Sequence, residues 1–154
     1  MEQIDLVQYL DNCGDEYVDE THRRVKEVCD FYIELDYIGT NNFDTTLNVE
    51  TMQTYEQQYL PIWRSRLLNM IYNNSSRRAI VVDSNDCISL VQLIVRDNMG
   101  HLMVFIRSCD AKNKLPYDVH TVTKFVGEIR QFYQLTECEC TFHFGSLHYF
   151  MEDK

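Results

Sequence analysis

The chain is poor in residues that punctuate a fold. Its 154 residues include five glycines, two prolines and one tryptophan. No linker, internal repeat or low-complexity run is visible, so the length reads as one domain over residues 1–154. No apolar run approaches the roughly 18 residues that a membrane span needs. The opening stretch MEQIDLVQYLDNC lacks a basic segment followed by an apolar core, so no signal peptide is expected. Positive charge is also scarce: 14 Lys and Arg stand against 24 Asp and Glu, for a net charge of −10. Proteins that grip nucleic-acid polymers draw their affinity from clustered Lys and Arg, so that class is disfavoured. What the chain does have is 45% hydrophobic and 12% aromatic residues, enough for a core. Its charge is uneven. Residues 1–56 hold 14 acids and 3 bases, whereas 57–154 hold 10 acids and 11 bases.

The cysteines are Cys13, Cys29, Cys87, Cys109, Cys138 and Cys140. An even count suits a disulfide framework only in a short, secreted, loop-rich chain. Cys138 and Cys140 are two apart and would share one face of a strand, so a metal site with His143 is conceivable. No second ligand pair follows at the usual spacing. Buried or spare thiols in a reducing cytoplasm are the better reading, with no metal.

Hydrophobic spacing gives the elements. Residues 2–12 form a short helix ending near Gly14. Val18, Val25, Val28, Cys29, Tyr32 and Ile33 recur at helical spacing and predict a helix from about Asp15 to Asp36. A turn at 39–42 and a polar loop over 43–54 follow. Leu60, Trp63, Leu67 and Ile71 mark another helix with Pro61 in its first turn. Ala79–Asp83, Cys87–Arg96 and His101–Arg107 read as strands, the last two joined by a hairpin at Asp97–Gly100. Beyond Pro116, the residues Val119, Val122, Phe125, Val126, Ile129, Phe132 and Tyr133 trace one helix face. Cys138–Phe144 alternates as a final strand. The fold class is α+β, a largely antiparallel sheet covered by helices.

Polar groups at strand ends and helix starts commonly converge on a pocket. Three such segments stand out: Arg107-Ser108-Cys109-Asp110, Leu115-Pro116-Tyr117-Asp118 and Gly145-Ser146-Leu147-His148. An arginine fork beside a hydroxyl suits a phosphate monoester. The plainer readings are an Arg107–Asp110 ion pair at a turn and Asp118 as a helix N-cap.

These segments resemble the thymidylate synthase and dCMP hydroxymethylase family. Its core has an Arg-Ser-Cys-Asp phosphate motif, a Pro-Phe-Asn-Ile segment at the base and a Gly-Asp-x-His-x-Tyr segment at the sugar. The chain reads Arg-Ser-Cys-Asp at 107–110, Pro-Tyr-Asp-Val at 116–119 and Gly-Ser-Leu-His-Tyr-Phe at 145–150. Cys87 stands where the family places its nucleophile, and Gln92 matches a glutamine of the same strand. The intervals from 87 to 107, 118 and 148 follow the family pattern without gaps. Upstream, Arg77-Arg78 resembles paired arginines that cross to the other subunit of a homodimer. Tyr55–Tyr59 is faintly similar to a Tyr-Gly-x-Gln-Trp segment.

The resemblance implies a thymidylate synthase-like core lacking its C-terminal part, since the chain ends six residues after His148. It implies a pyrimidine mononucleotide ligand, dCMP or dUMP, with 5,10-methylenetetrahydrofolate as one-carbon donor. Cys87 would add to C6 of the base, and Glu27, matched to a helical glutamate, would manage protons. Arg107, Ser108, Arg77 and Arg78 would hold phosphate; Asp118, Gln92 and Asp110 the base; His148 the sugar. Asp118 replaces the asparagine of thymidylate synthases, and a carboxyl suits cytosine. Ile88, Ser146 and Phe150 depart from the histidine, aspartate and tyrosine of the family motifs. Those departures give the alternative: an inactive relative acting as a regulator, a decoy, an interaction module or a partner of a full-length family enzyme.

Overall fold

The computed structural model describes residues 3–39, 47–73, 78–84 and 86–152, excluding the side chains of 70–83. Arg77 therefore lies outside the described residues, and for Arg78 only the backbone is described.

The first helix, α1 (Leu6–Cys13), starts where the Asp5 carboxylate accepts hydrogen bonds from the amides of Val7 and Gln8 at 3.0 and 3.2 Å. Leu6 and Leu10, one turn apart, are fully buried. The helix expected over 15–36 is instead a hairpin of β1 (Asp15–Val18) and β2 (Arg24–Glu34), followed by a 3-10 turn at Leu35–Tyr37. The reason lies at Asp30, whose φ of 53° breaks the strand's alternation. Val28, Phe31 and Ile33 all pack on the core, so the buried positions are spaced by three and then two. That spacing imitates a helix.

The second helix, α2 (Val49–Asn73), begins within the stretch expected to be loop. Pro61 sits well inside it rather than in its first turn, and removes one backbone hydrogen bond there. Burial of Leu60, Trp63 and Leu67 at helical spacing holds the segment in place. The strands β3 (Arg78–Asp83), β4 (Ile88–Arg96) and β5 (Met99–Ile106) form an antiparallel meander. The β4–β5 turn is the two residues Asp97 and Asn98, with Asp97 at φ 53°. A two-residue strand, β6 (Cys109–Asp110), leads into α3 (Leu115–Tyr133), and β7 (Glu137–Phe150) closes the chain. Asp118 lies within α3, whose N-cap is Lys114, so Asp118 is not a cap.

The sheet runs β1-β2-β7-β5-β4-β3, with β6 paired to β7. The β5–β7 and β6–β7 pairings are parallel and the rest antiparallel. This is an α+β architecture. Inward residues such as Val91, Leu93, Leu102, Val104, Phe142 and Phe144 form one cluster with side chains from all three helices. The other face carries Leu90, Ile94, Met103 and Phe105, half-buried, and Tyr32, 70% exposed. Aromatic packing of Trp63 on Phe125, with centroids 5.2 Å apart, ties α2 to α3. Two polar links join the same helices. Arg64 donates to Glu128 at 2.6–3.1 Å, and Glu56 meets His120 and Lys124 at 2.9 and 3.1 Å. No helix among the described residues is long and apolar enough to cross a membrane.

Candidate functional site

Three motifs that are distant in sequence meet at one end of the sheet through the backbone. The Arg107 amide donates to the Cys87 carbonyl at 2.9 Å, and the Ser146 amide donates to the Arg107 carbonyl at 3.0 Å. A continuous rung therefore runs from Cys87 through Arg107 to Ser146. Gly145 permits it: a Cβ there would stand 2.7 Å from the Arg107 carbonyl oxygen. The alternation of β7 also switches at this point. Phe142 and Phe144 are buried before Gly145, and Leu147 and Tyr149 after it, so Ser146 and His148 turn to the open face.

On that face His148 sits opposite Glu27 of β2, and Ser146 opposite Cys29. The Ser146 hydroxyl donates to the Glu27 carboxylate and lies 3.2 Å from His148 Nδ1. A hydroxyl has one proton, so a neutral His148 completes the chain by donating from Nδ1, which leaves Nε2 as an acceptor. Burial pushes the His148 pKa down, against the pull of Asp110 and Glu27, and the Arg23 charge adds to the lowering. Glu27 also accepts from the Cys29 thiol at 3.3 Å and the Tyr17 hydroxyl at 3.5 Å. Glu27 is thus a strand residue in a cross-strand cluster, which corrects its expected helical setting.

The helix side holds a second group. Asp118 is 3% exposed, and its carboxyl accepts from the Cys109 thiol at 3.6 Å. Burial raises its pKa to about 7, despite the Cys109 contact and the Lys114 charge, which act the other way. Burial first, and then the Asp118 charge, pushes up the Cys109 thiol and the hydroxyls of Tyr55 and Tyr59. Cys87 lies near all three and is itself exposed. Tyr55 stacks on Tyr117 with centroids 5.3 Å apart, and Tyr59 packs against Trp63 at 5.4 Å.

Arg107 and Ser108 are exposed at the turn between β5 and β6. Asp110 pairs with His148 across β6–β7, and its carboxylate caps the next turn by accepting from the Lys112 and Asn113 amides at 3.0 and 3.1 Å. Gln92 does not join these groups. It sits five residues along β4, about 16 Å from Cys87 at the usual strand rise, on the face away from Val91 and Leu93. The Arg78 backbone pairs with Ile94, at the end of β4 away from Cys87.

One further group has no role in the expected site. Arg23, at the β1–β2 turn, lies over the Phe150 ring at 3.7 Å, and its charge reaches His148. Thr21-His22-Arg23-Arg24 is a polar turn between two β-prone runs, a signal hidden by the apparent helical spacing around it. Among the described residues no group of three or more His, Cys, Asp or Glu side chains is placed to hold a metal. No protein-family model matches the chain, and no curated protein matches it.

Proposed function

We propose that the chain binds a pyrimidine mononucleotide at the end of the sheet where Cys87, Arg107 and Ser146 share one backbone rung. That rung carries the reading, because it joins three motifs that lie apart in sequence and whose spacing resembles the thymidylate synthase and dCMP hydroxymethylase family. Arg107 and Ser108 would take the phosphate, together with Arg23 and with Arg77 and Arg78 of a second copy. His148 Nε2, free to accept, would take a sugar hydroxyl. A homodimer through the open sheet face is the matching assembly, since Leu90, Ile94, Met103, Phe105 and Tyr32 leave apolar area there to cover. The setting would be cytoplasmic, with no nucleic-acid polymer or membrane as partner.

A specific observation favours the non-catalytic version of this reading. Glu27, the expected proton carrier, is held by Ser146, Cys29 and Tyr17 on the open face. Cys87, the expected nucleophile, lies near the helix-side Tyr55, Tyr59 and Cys109 instead. Methylenetetrahydrofolate is the donor the resemblance implies, but the tyrosines near Cys87 stack on neighbouring rings and offer a pterin a poor platform. The reading is therefore a nucleotide-binding relative, acting as a regulator or as a partner of a full-length enzyme of the family.

Millimolar dCMP and dUMP should each be added in a thermal-shift assay, because a ligand of the native state raises its melting temperature. A rise that is lost in Arg107→Ala is expected, and no rise with either nucleotide refutes the proposal. Release of C5 tritium from dCMP with tetrahydrofolate, abolished by Cys87→Ala, would select the enzyme over the non-catalytic version.

A further inference from the structure

The start of β7, the C-terminal half of α3 and the 3-10 turn enclose a cavity of about 710 Å³, away from the candidate nucleotide site. Cys138 and Cys140 both line it, together with Asp36, Gly127, Arg130 and Glu137. Two features make the room. A Cβ on Gly127 would meet nothing within 4 Å, and a Cβ on Gly100 would fall 3.1 Å from the Cys138 sulfur, so that glycine leaves the thiol its place.

The two thiols stand at alternate positions of one strand, pairing in register with Gly100 and Leu102 of β5. They share the inward face, whereas His143, at odd spacing from both, makes edge-on contacts with Tyr32 and Phe105 and meets Asp30 on the open face. His143 is thereby removed as a third ligand.

Strand geometry decides what two such thiols can do. Residues two apart rise about 6.7 Å along a strand. Their parallel Cβ atoms are then too far apart for a disulfide, which needs about 3.5–4.5 Å between them. Two metal–thiolate bonds of about 2.3 Å each, placed end to end, span about 4.6 Å between sulfurs. Rotation about the two Cα–Cβ bonds can close strand spacing toward that separation. The same two groups cannot make a tetrahedral site, and no third ligand is placed to help among the described residues.

We propose that Cys138 and Cys140 form a two-coordinate site for a soft monovalent cation of the Cu(I) type. Soft thiolates select such ions. The step is a ligand exchange without redox: two S–H bonds break, two S–Cu bonds form and two protons leave to solvent. The bis-thiolate product carries one negative charge. Arg130 lines the same cavity and offsets that charge. Asp36 and Glu137 at the cavity wall attract the entering cation.

The test is an anaerobic titration of the full chain with Cu(I) against a colorimetric Cu(I) chelator. The background variant is Cys13→Ser/Cys29→Ser/Cys87→Ser, which removes the exposed thiols. One equivalent retained by this background and lost on adding Cys138→Ser is the expected result. Cys140 is deeply buried and its replacement risks the fold, so the half-buried Cys138 is the deciding position. Affinity should rise with pH, because two protons are displaced. Cu(I) binding that is absent from the background, or that survives Cys138→Ser, overturns the proposal. One equivalent of Zn²⁺ bound with comparable affinity at the same thiols also overturns it, since it requires ligands that a two-coordinate site lacks.

Discussion

Asp118 offers the sharpest physical test, through Asp118→Asn. The wild-type carboxyl is 3% exposed, and burial lifts its pKa from 3.8 to about 7. Between those values the folded state holds a proton that the unfolded chain has released. Stability therefore falls as pH rises across that window, and levels off above it. A shift of about three units at about 1.36 kcal/mol each amounts to about 4 kcal/mol across the window. The slope approaches about 1.4 kcal/mol per pH unit in its middle. Asparagine has the same shape and no charge to bury, so its profile lacks this component. Urea unfolding of both proteins at half-unit steps from pH 4 to 8.5 gives the comparison. The variant should gain on the wild type steadily up to about pH 7, and then hold a constant lead. Parallel profiles, differing by less than about 0.5 kcal/mol over the window, would refute the argument that Asp118 is desolvated in the fold.

Other outcomes follow from particular contacts. Gly145→Ala forces a Cβ to 2.7 Å from the Arg107 carbonyl, and should cost about 1–3 kcal/mol in chemical denaturation. Trp63 is the only tryptophan and is 1% exposed, so native emission should be blue-shifted and move red on unfolding. Trp63→Phe should remove the signal, and Trp63→Ala should cost about 3–5 kcal/mol. Ser146→Ala removes the link between Glu27 and His148, and should destabilise by about 1 kcal/mol in chemical denaturation. Tyr32→Lys places a charge on the open sheet face, and should weaken self-association in analytical ultracentrifugation without lowering the melting temperature of the monomer.

Much of the second half was legible because its signals are local. β4 and β5 are apolar runs around a short polar turn, and α3 repeats its buried residues every three or four positions. In the first third only α1 was, since the irregularity at Asp30 puts Val28, Phe31 and Ile33 on the core with helix-like spacing. Glu27 shares that misreading, and Arg23, to which no site role was assigned, sits at a turn whose flanks imitate a helix. The extent of α2 was also hidden. Pro61 looks like a helix start, and only the burial of Trp63 and Leu67 against α3 and the sheet offsets the backbone bond it removes.

The sequence by itself determined the α+β class and the strands and helix of the second half, while Cys87, Arg107, Asp118 and His148 entered only as expected motif residues. Tertiary structure alone decided which of them meet. The switch in alternation at Gly145 turns Ser146 and His148 toward Glu27, while Asp118 and Cys109 close under α2. It also placed Cys138 and Cys140 on a cavity wall and His143 on the opposite face. The physical reason is that a strand's two-residue period assigns faces only as long as it is unbroken. One irregular residue reverses every face beyond it, and the backbone rung that fixes this reversal is a long-range contact.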